Sequence, residues 1–234
     1  MRASFLIFII LATLAALVLW SGFDLAVSGF FYRPGQGFFL ADEIIFVWLH
    51  KVAYYGARVF GILLALVLLA ALIRRKPLMG VSAKGWLFLL LGLLLGPGLV
   101  ANTVFKDHWG RARPREIIEF GGAAHFSPAL LPSDQCARNC SFVSGDGAFG
   151  FYLPAFAYVA PRPRTRRFFW VGAGLGALFG FVRLAVGAHF LSDILFAALF
   201  VQSALALLHA AMFGFKETRK CWRDWIFLSE KSKA

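Results

Sequence analysis

The sequence predicts an all-α polytopic membrane protein, a six-transmembrane-helix bundle with both termini cytoplasmic, and three observations predict it. Hydrophobic residues make up 60% of the 234 positions and charged ones 15%, outside the balance of a water-soluble or disordered chain. The apolar residues run in long blocks joined by short charged connectors, not in alternation with polar ones. The net charge of +12 falls on the connectors that such a bundle gathers on one side.

Six stretches come near the ~20 residues that cross a bilayer core as a helix. They are 5–20, 52–73, 85–105, 143–160, 168–188 and 190–213. Arg2 before the first would suit a signal peptide, but Trp20, Ser21 and Gly22 make a poor small-residue cleavage site, so a retained helix is expected. Segment 38–50 (FFLADEIIFVWLH) sets apolar residues at helical spacing around Asp42, Glu43 and His50, which predicts a short interfacial helix before the second span. In GAGLGALFG, Gly172, Gly176 and Gly180 share one helix face, the small-residue spacing of closely packed membrane helices.

With both termini on one side, that side holds Arg2, Arg74, Arg75, Lys76, Lys84, Arg162, Arg164, Arg166 and Arg167, together with Lys216, Arg219, Lys220, Arg223, Lys231 and Lys233 of the tail. Its acids are Glu217, Asp224 and Glu230, and the cations and acids elsewhere in the chain cancel. This asymmetry argues against nucleic acid as the partner and marks the basic side as cytoplasmic. Segments 21–51, 106–142 and the turn near 189 then face the opposite, periplasmic side of a bacterial inner membrane. One membrane domain is expected over 1–214, and a basic cytoplasmic tail over 215–234 that rests Trp222 and Trp225 on the anionic leaflet. In an oxidising outer compartment Cys136 and Cys140 can pair, backbone geometry permitting. The spacing of His125 does not suit zinc.

Ionisable residues at a membrane boundary are costly and mark function. Three groups gather at the non-cytoplasmic end: Lys106, Arg111, Arg113 and Arg115 after the third span; Ser144, Gly145 and Asp146 opening the fourth; Arg183, His189 and Asp193 around the last junction. Lys106, Arg113 and Arg183 offer donors suited to a phosphate dianion. Ser144 and Gly145 stand where free N–H groups of a helix start would face an anion. His189 and Asp193, four apart, share a helix face, so that the carboxylate can orient the imidazole for attack on phosphorus. Singly, snorkelling, capping and interface hydrogen bonds account for each group. Their convergence is what those readings leave unexplained. His50, His108, His125 and His209 have no comparable neighbours and receive no role.

These residues resemble a known pattern. Lys106-DHWGRA-Arg113-Pro114 and Arg183-LAVGA-His189-FLS-Asp193 look like the first and third signatures of the type 2 phosphatidic acid phosphatase (PAP2) family. The second, usually Pro-Ser-Gly-His, corresponds here to Val143-Ser144-Gly145-Asp146, and Val182 stands where a serine is usual before the arginine. The resemblance implies a metal-independent lipid phosphatase without cofactor. His189 would form a phosphohistidine and Asp193 would orient it. Lys106, Arg113, Ser144, Gly145 and Arg183 would hold phosphate oxygens. Asp146 occupies the position of the acid that protonates the leaving oxygen, and three readings stay open for it: that acid, a ligand for a substrate hydroxyl or a cation, or the mark of lost activity. The implied substrate is a phosphorylated membrane lipid, lipid A before undecaprenyl pyrophosphate, phosphatidylglycerol phosphate or phosphatidate. The 115–142 loop, with its mixed charges, suits a sugar headgroup. Transfer of the phosphate to a second lipid, a non-catalytic anion-binding transporter and a silent scaffold are the competing readings.

Overall fold

The computed structural model describes residues 22–161 and 164–226. The expected first span, 5–20, lies outside the described residues, as do Arg162 and the end of the tail from 227 on. The described chain is mostly helical, with a long irregular loop over 109–144 and a two-residue antiparallel hairpin, β1 (Tyr32–Arg33) and β2 (Gly37–Phe38).

Among the described residues four helices are long and apolar enough to cross a membrane: α2 (Ile44–Arg74), α3 (Ala83–His108), α6 (Thr165–Ala185) and α7 (Leu191–Phe213). They match the second, third, fifth and sixth expected spans. A short helix α1 (Gly22–Gly29) precedes the hairpin, and α8 (Phe215–Ile226) follows α7.

The expected interfacial helix does not form. Residues 39–43 are turns and coil, and the helix that begins at Ile44 continues to Arg74 without a break. No proline interrupts 44–74, so the ladder that starts at Ile44 has no reason to stop at Val52. His50 therefore sits in the second turn of a membrane-crossing helix.

The expected fourth span is a broken segment, α4 (Gly145–Tyr152) and α5 (Ala155–Val159), parted at Leu153 and Pro154. Proline has no N–H to continue the ladder, and its ring crowds the carbonyl four residues back. α4 sits at the centre of the bundle, and the Tyr152 hydroxyl donates to the Leu89 carbonyl at 2.7 Å. The glycine stripe packs as expected. A Cβ on Gly176 would lie 2.4 Å from the Phe151 ring, and one on Gly150 2.5 Å from the Gly176 Cα. Only glycine lets α4 and α6 approach this closely.

In α3, Pro97 widens the turns, and 94–105 winds as a π-helix. Side chains reach back five residues along it: Asn102 Nδ2 donates to the Pro97 carbonyl at 2.7 Å and Thr103 Oγ1 to the Gly98 carbonyl at 3.2 Å. Wide turns of this kind concentrate at functional sites, and Lys106 emerges directly at the end of this one.

The tail also differs from expectation. Trp225 is buried in the protein, stacked on Phe169 at 4.9 Å and edge-on to Tyr158 at 4.6 Å. His209 of α7 pairs through Nδ1 with Thr218 Oγ1 of α8 at 2.7 Å. Burial of an aromatic face in the bundle outweighs its placement in a headgroup layer.

Candidate active site

The loop from Gly110 to Ser144 runs back alongside the end of α3, and backbone bonds fix its path. Cys140 N donates to the Lys106 carbonyl at 2.9 Å, Ser141 N to the Arg111 carbonyl at 2.8 Å, and Ser144 N to the Asp193 carbonyl at 3.2 Å. Gly110 turns with φ 71°, and a Cβ there would fall 1.6 Å from the Ser133 carbonyl oxygen. That left-handed turn aims the following arginines back at the bundle. Cys136 and Cys140 are joined as a disulfide within this loop.

Members of all three sequence-distant groups meet at one cavity of about 360 Å³, while Arg111, Ser144, Gly145 and Asp193 do not line it. Its lining includes Lys106, Arg113, Asp146, Arg183 and His189, together with Arg115, Asn139 and His50. Ser144 caps α4 by accepting from Gly147 N at 3.3 Å, which leaves its hydroxyl hydrogen to donate elsewhere. Gly145 lies against Lys106, for a Cβ there would be 3.1 Å from Lys106 Nζ. Asn139 organises two cations: its Oδ1 accepts from Lys106 Nζ at 3.3 Å and its carbonyl from Arg113 Nη2 at 2.7 Å. Arg183 Nε lies 3.4 Å from Asp146 Oδ2 but makes no hydrogen bond with the described residues.

His189 is buried, and its Nδ1 lies 2.7 Å from the Ser141 carbonyl oxygen. A carbonyl can only accept, so Nδ1 carries the hydrogen and Nε2 keeps its lone pair. Burial pushes the imidazole down to about 3 against the pull of Asp193, with Lys106 and Arg113 lowering it further. The ring is therefore neutral and nucleophilic at physiological pH.

Asp193 is placed differently from the simple pairing expected of it. Its Oδ2 lies 3.8 Å from His189 Nδ1 and accepts instead from Ser141 Oγ at 2.5 Å and Phe190 N at 2.8 Å. Asp193 thus holds the Ser141 segment whose carbonyl orients the histidine. Its Oδ1 receives Arg111 Nη1 at 2.5 Å. Arg111, left without a role by its sequence position, is wholly buried: Nη2 meets Asp24 Oδ2 at 2.8 Å, Nε meets the Ser127 carbonyl at 2.8 Å, and the guanidinium covers Phe190 at 4.2 Å. Ser192 N completes the knot on Asp24 Oδ1 at 2.9 Å.

Four contributors escaped the sequence reading. Asp24 lies outside the signature blocks, Ser192 is one of the unassigned positions within the third, and both meet Arg111 only through the fold. Ser141 acts through its backbone, which no side chain announces. His50, set aside for want of neighbours, places Nδ1 2.5 Å from Asp146 Oδ2 across a separation of 96 residues.

Comparison with known proteins gives a common answer. The model of the PAP2 superfamily matches residues 85–217. A protein of Francisella tularensis subsp. novicida named "Lipid A 4'-phosphatase" is 36% identical over 202 residues, 86% of this chain and 90% of its own length. Two proteins of the same name, from Rhizobium leguminosarum and Rhizobium etli, are each 42% identical over 104 residues, 44% of this chain and 44% and 40% of theirs. No solved structure matches. Every signature block that meets at the cavity lies inside the matched region, and the chain belongs to the PAP2 superfamily.

Proposed function

We propose that the protein is an integral-membrane lipid phosphatase that removes a phosphate from lipid A at the periplasmic face of a bacterial inner membrane. One observation carries the chemistry: a neutral, buried His189, its Nδ1 tied to the Ser141 carbonyl, lines a cavity with Lys106, Arg113 and Arg183. His189 Nε2 attacks phosphorus and forms a phosphohistidine, which water then hydrolyses. Lys106, Arg113 and Arg183, with the Ser144 hydroxyl and the Gly145 amide, hold the phosphate oxygens. They stabilise the charge spread over them in the transition state. Asp193 acts by holding the Ser141 segment and the histidine it orients.

A lipid substrate is supported by the second cavity. About 860 Å³ of groove runs along α2 and α3, walled by Ala57, Gly61, Ile62, Leu93, Pro97 and Phe149. It shares Tyr54, Lys106, Asn139 and Asp146 with the first cavity, so a phosphate and a hydrocarbon chain have adjoining sites. Lipid A is favoured by the name of the relative aligned over most of this chain. The orientation rests on the positive-inside distribution, with six spans, both termini cytoplasmic and the basic segment 215–234 as a cytoplasmic tail.

The test is mass spectrometry of membrane lipids from bacteria expressing wild type or His189→Ala at equal levels. The reading predicts lipid A short of one phosphate with wild type only. Identical profiles from two folded, inserted proteins would sink it.

A further inference from the structure

We infer that His50 is the catalytic residue that protonates the leaving oxygen, and that Asp146 is the positioning residue that holds it. This rests on the phosphatase reading above. Breaking the bond from phosphorus to a sugar or alkyl oxygen leaves a strongly basic alkoxide, so a proton donor is needed beside it. Among the described residues of the cavity, Arg113, Arg115 and Arg183 keep their protons in water. His189 is the nucleophile. Lys106, against Gly145 and Asn139, is a phosphate ligand.

Asp146 Oδ2 already accepts from His50 Nδ1 at 2.5 Å, and Arg183 Nε stands 3.4 Å from the same oxygen. A carboxylate so occupied is an acceptor. The imidazole it holds can give a proton from one nitrogen while the other stays tied to the carboxylate. His50 also lines the cavity, about a third exposed, and its Nε2 makes no hydrogen bond with the described residues. The carboxylate fixes Nδ1–H and stabilises the imidazolium, and Nε2–H is free for substrate. The groups facing His50 are Asp146 on α4, Arg183 on α6, Lys106 on α3, Tyr54 on its own helix, and Arg113, Arg115 and His189 from the loops.

The step balances. His189 Nε2 gives its lone pair to phosphorus, the bond to the leaving oxygen breaks with its electron pair, and that oxygen takes the His50 Nε2 proton. In the second half, neutral His50 takes a proton from the attacking water as the P–N bond breaks, and both histidines return to their starting states.

The test uses the full chain in detergent micelles, with lipid A bearing both phosphates as probe and phosphate release as readout. Wild type is compared with His50→Gln, His50→Ala and His189→Ala across pH 5 to 9, each normalised to folded protein by size exclusion. We expect kcat/KM of both His50 variants to fall ~10²- to 10⁴-fold near pH 7. The alkaline limb of the wild-type profile should be lost, and added imidazole should restore part of the His50→Ala rate. Asp146→Asn should shift that limb while His50 is present and change nothing further in His50→Gln. Folded His50 variants within threefold of wild type, with the limb unchanged, overturn the assignment, as does a loss that imidazole leaves untouched. A wild type without activity, or an active His189→Ala, instead overturns the phosphatase reading itself.

Discussion

Two clusters of charge lie on either side of His189, and they are built in opposite ways. Behind it, Asp24, Arg111, Ser192 and Asp193 are buried, and each is hydrogen-bonded within the knot. In front, Lys106, Arg113, Arg115 and Arg183 line an open cavity, and Arg183 Nε, ion-paired with Asp146, has no hydrogen-bond partner among the described residues. A buried charge without a partner is expensive, so the rear cluster is closed by acids that match its arginine. The front cluster holds a surplus of cations that only an anion completes. The difference separates residues that position the nucleophile from residues that bind what it attacks.

The largest effect should come from opening the rear knot. Arg111→Met leaves Asp24 and Asp193 facing each other without their shared cation, and breaking a buried pair costs about 3–5 kcal/mol. Thermal unfolding in micelles should show a markedly lower midpoint, with activity lost in step. If Arg111→Met melts like wild type, the knot has no structural role.

A front cation should give the opposite pattern. Arg183→Gln removes a charge on the transferring phosphate, and kcat/KM should fall ~10²- to 10³-fold with the melting midpoint nearly unchanged. A parallel loss of stability would erase the distinction between the two clusters.

The smallest effect should arise in the groove. Ala57→Phe puts a ring into the space along α2, so KM for lipid A should rise several-fold while kcat changes little. An unchanged KM would mean that the hydrocarbon chain lies elsewhere.

Much of this site was legible in the sequence because its signature blocks encode local geometry. Arg183, His189 and Asp193 lie within eleven residues, and Lys106 and Arg113 within eight, so spacing alone joins them. The charge asymmetry and the apolar blocks were equally local, and the four long helices follow them. What stayed hidden was tertiary. Nothing in FFLADEIIFVWLH tells His50 that a carboxylate 96 residues on will meet it, and the same tract suggested an interfacial helix because period alone cannot say where a ladder stops. Asp146 appeared as a departure from the histidine of the family signature. In the fold, that position carries the carboxylate and α2 brings the imidazole to it. The Ser141 carbonyl is a backbone group, and its importance for the tautomer of His189 has no sequence signal.

The most direct test of the central claim is rapid acid-free quenching of the full chain turning over lipid A labelled with ³²P, followed by analysis of the protein. Label is expected on the wild-type chain in an alkali-stable, acid-labile bond at His189, and none on His189→Ala. Product formation by wild type with no protein-bound label at any time, or equal label on His189→Ala, would contradict it.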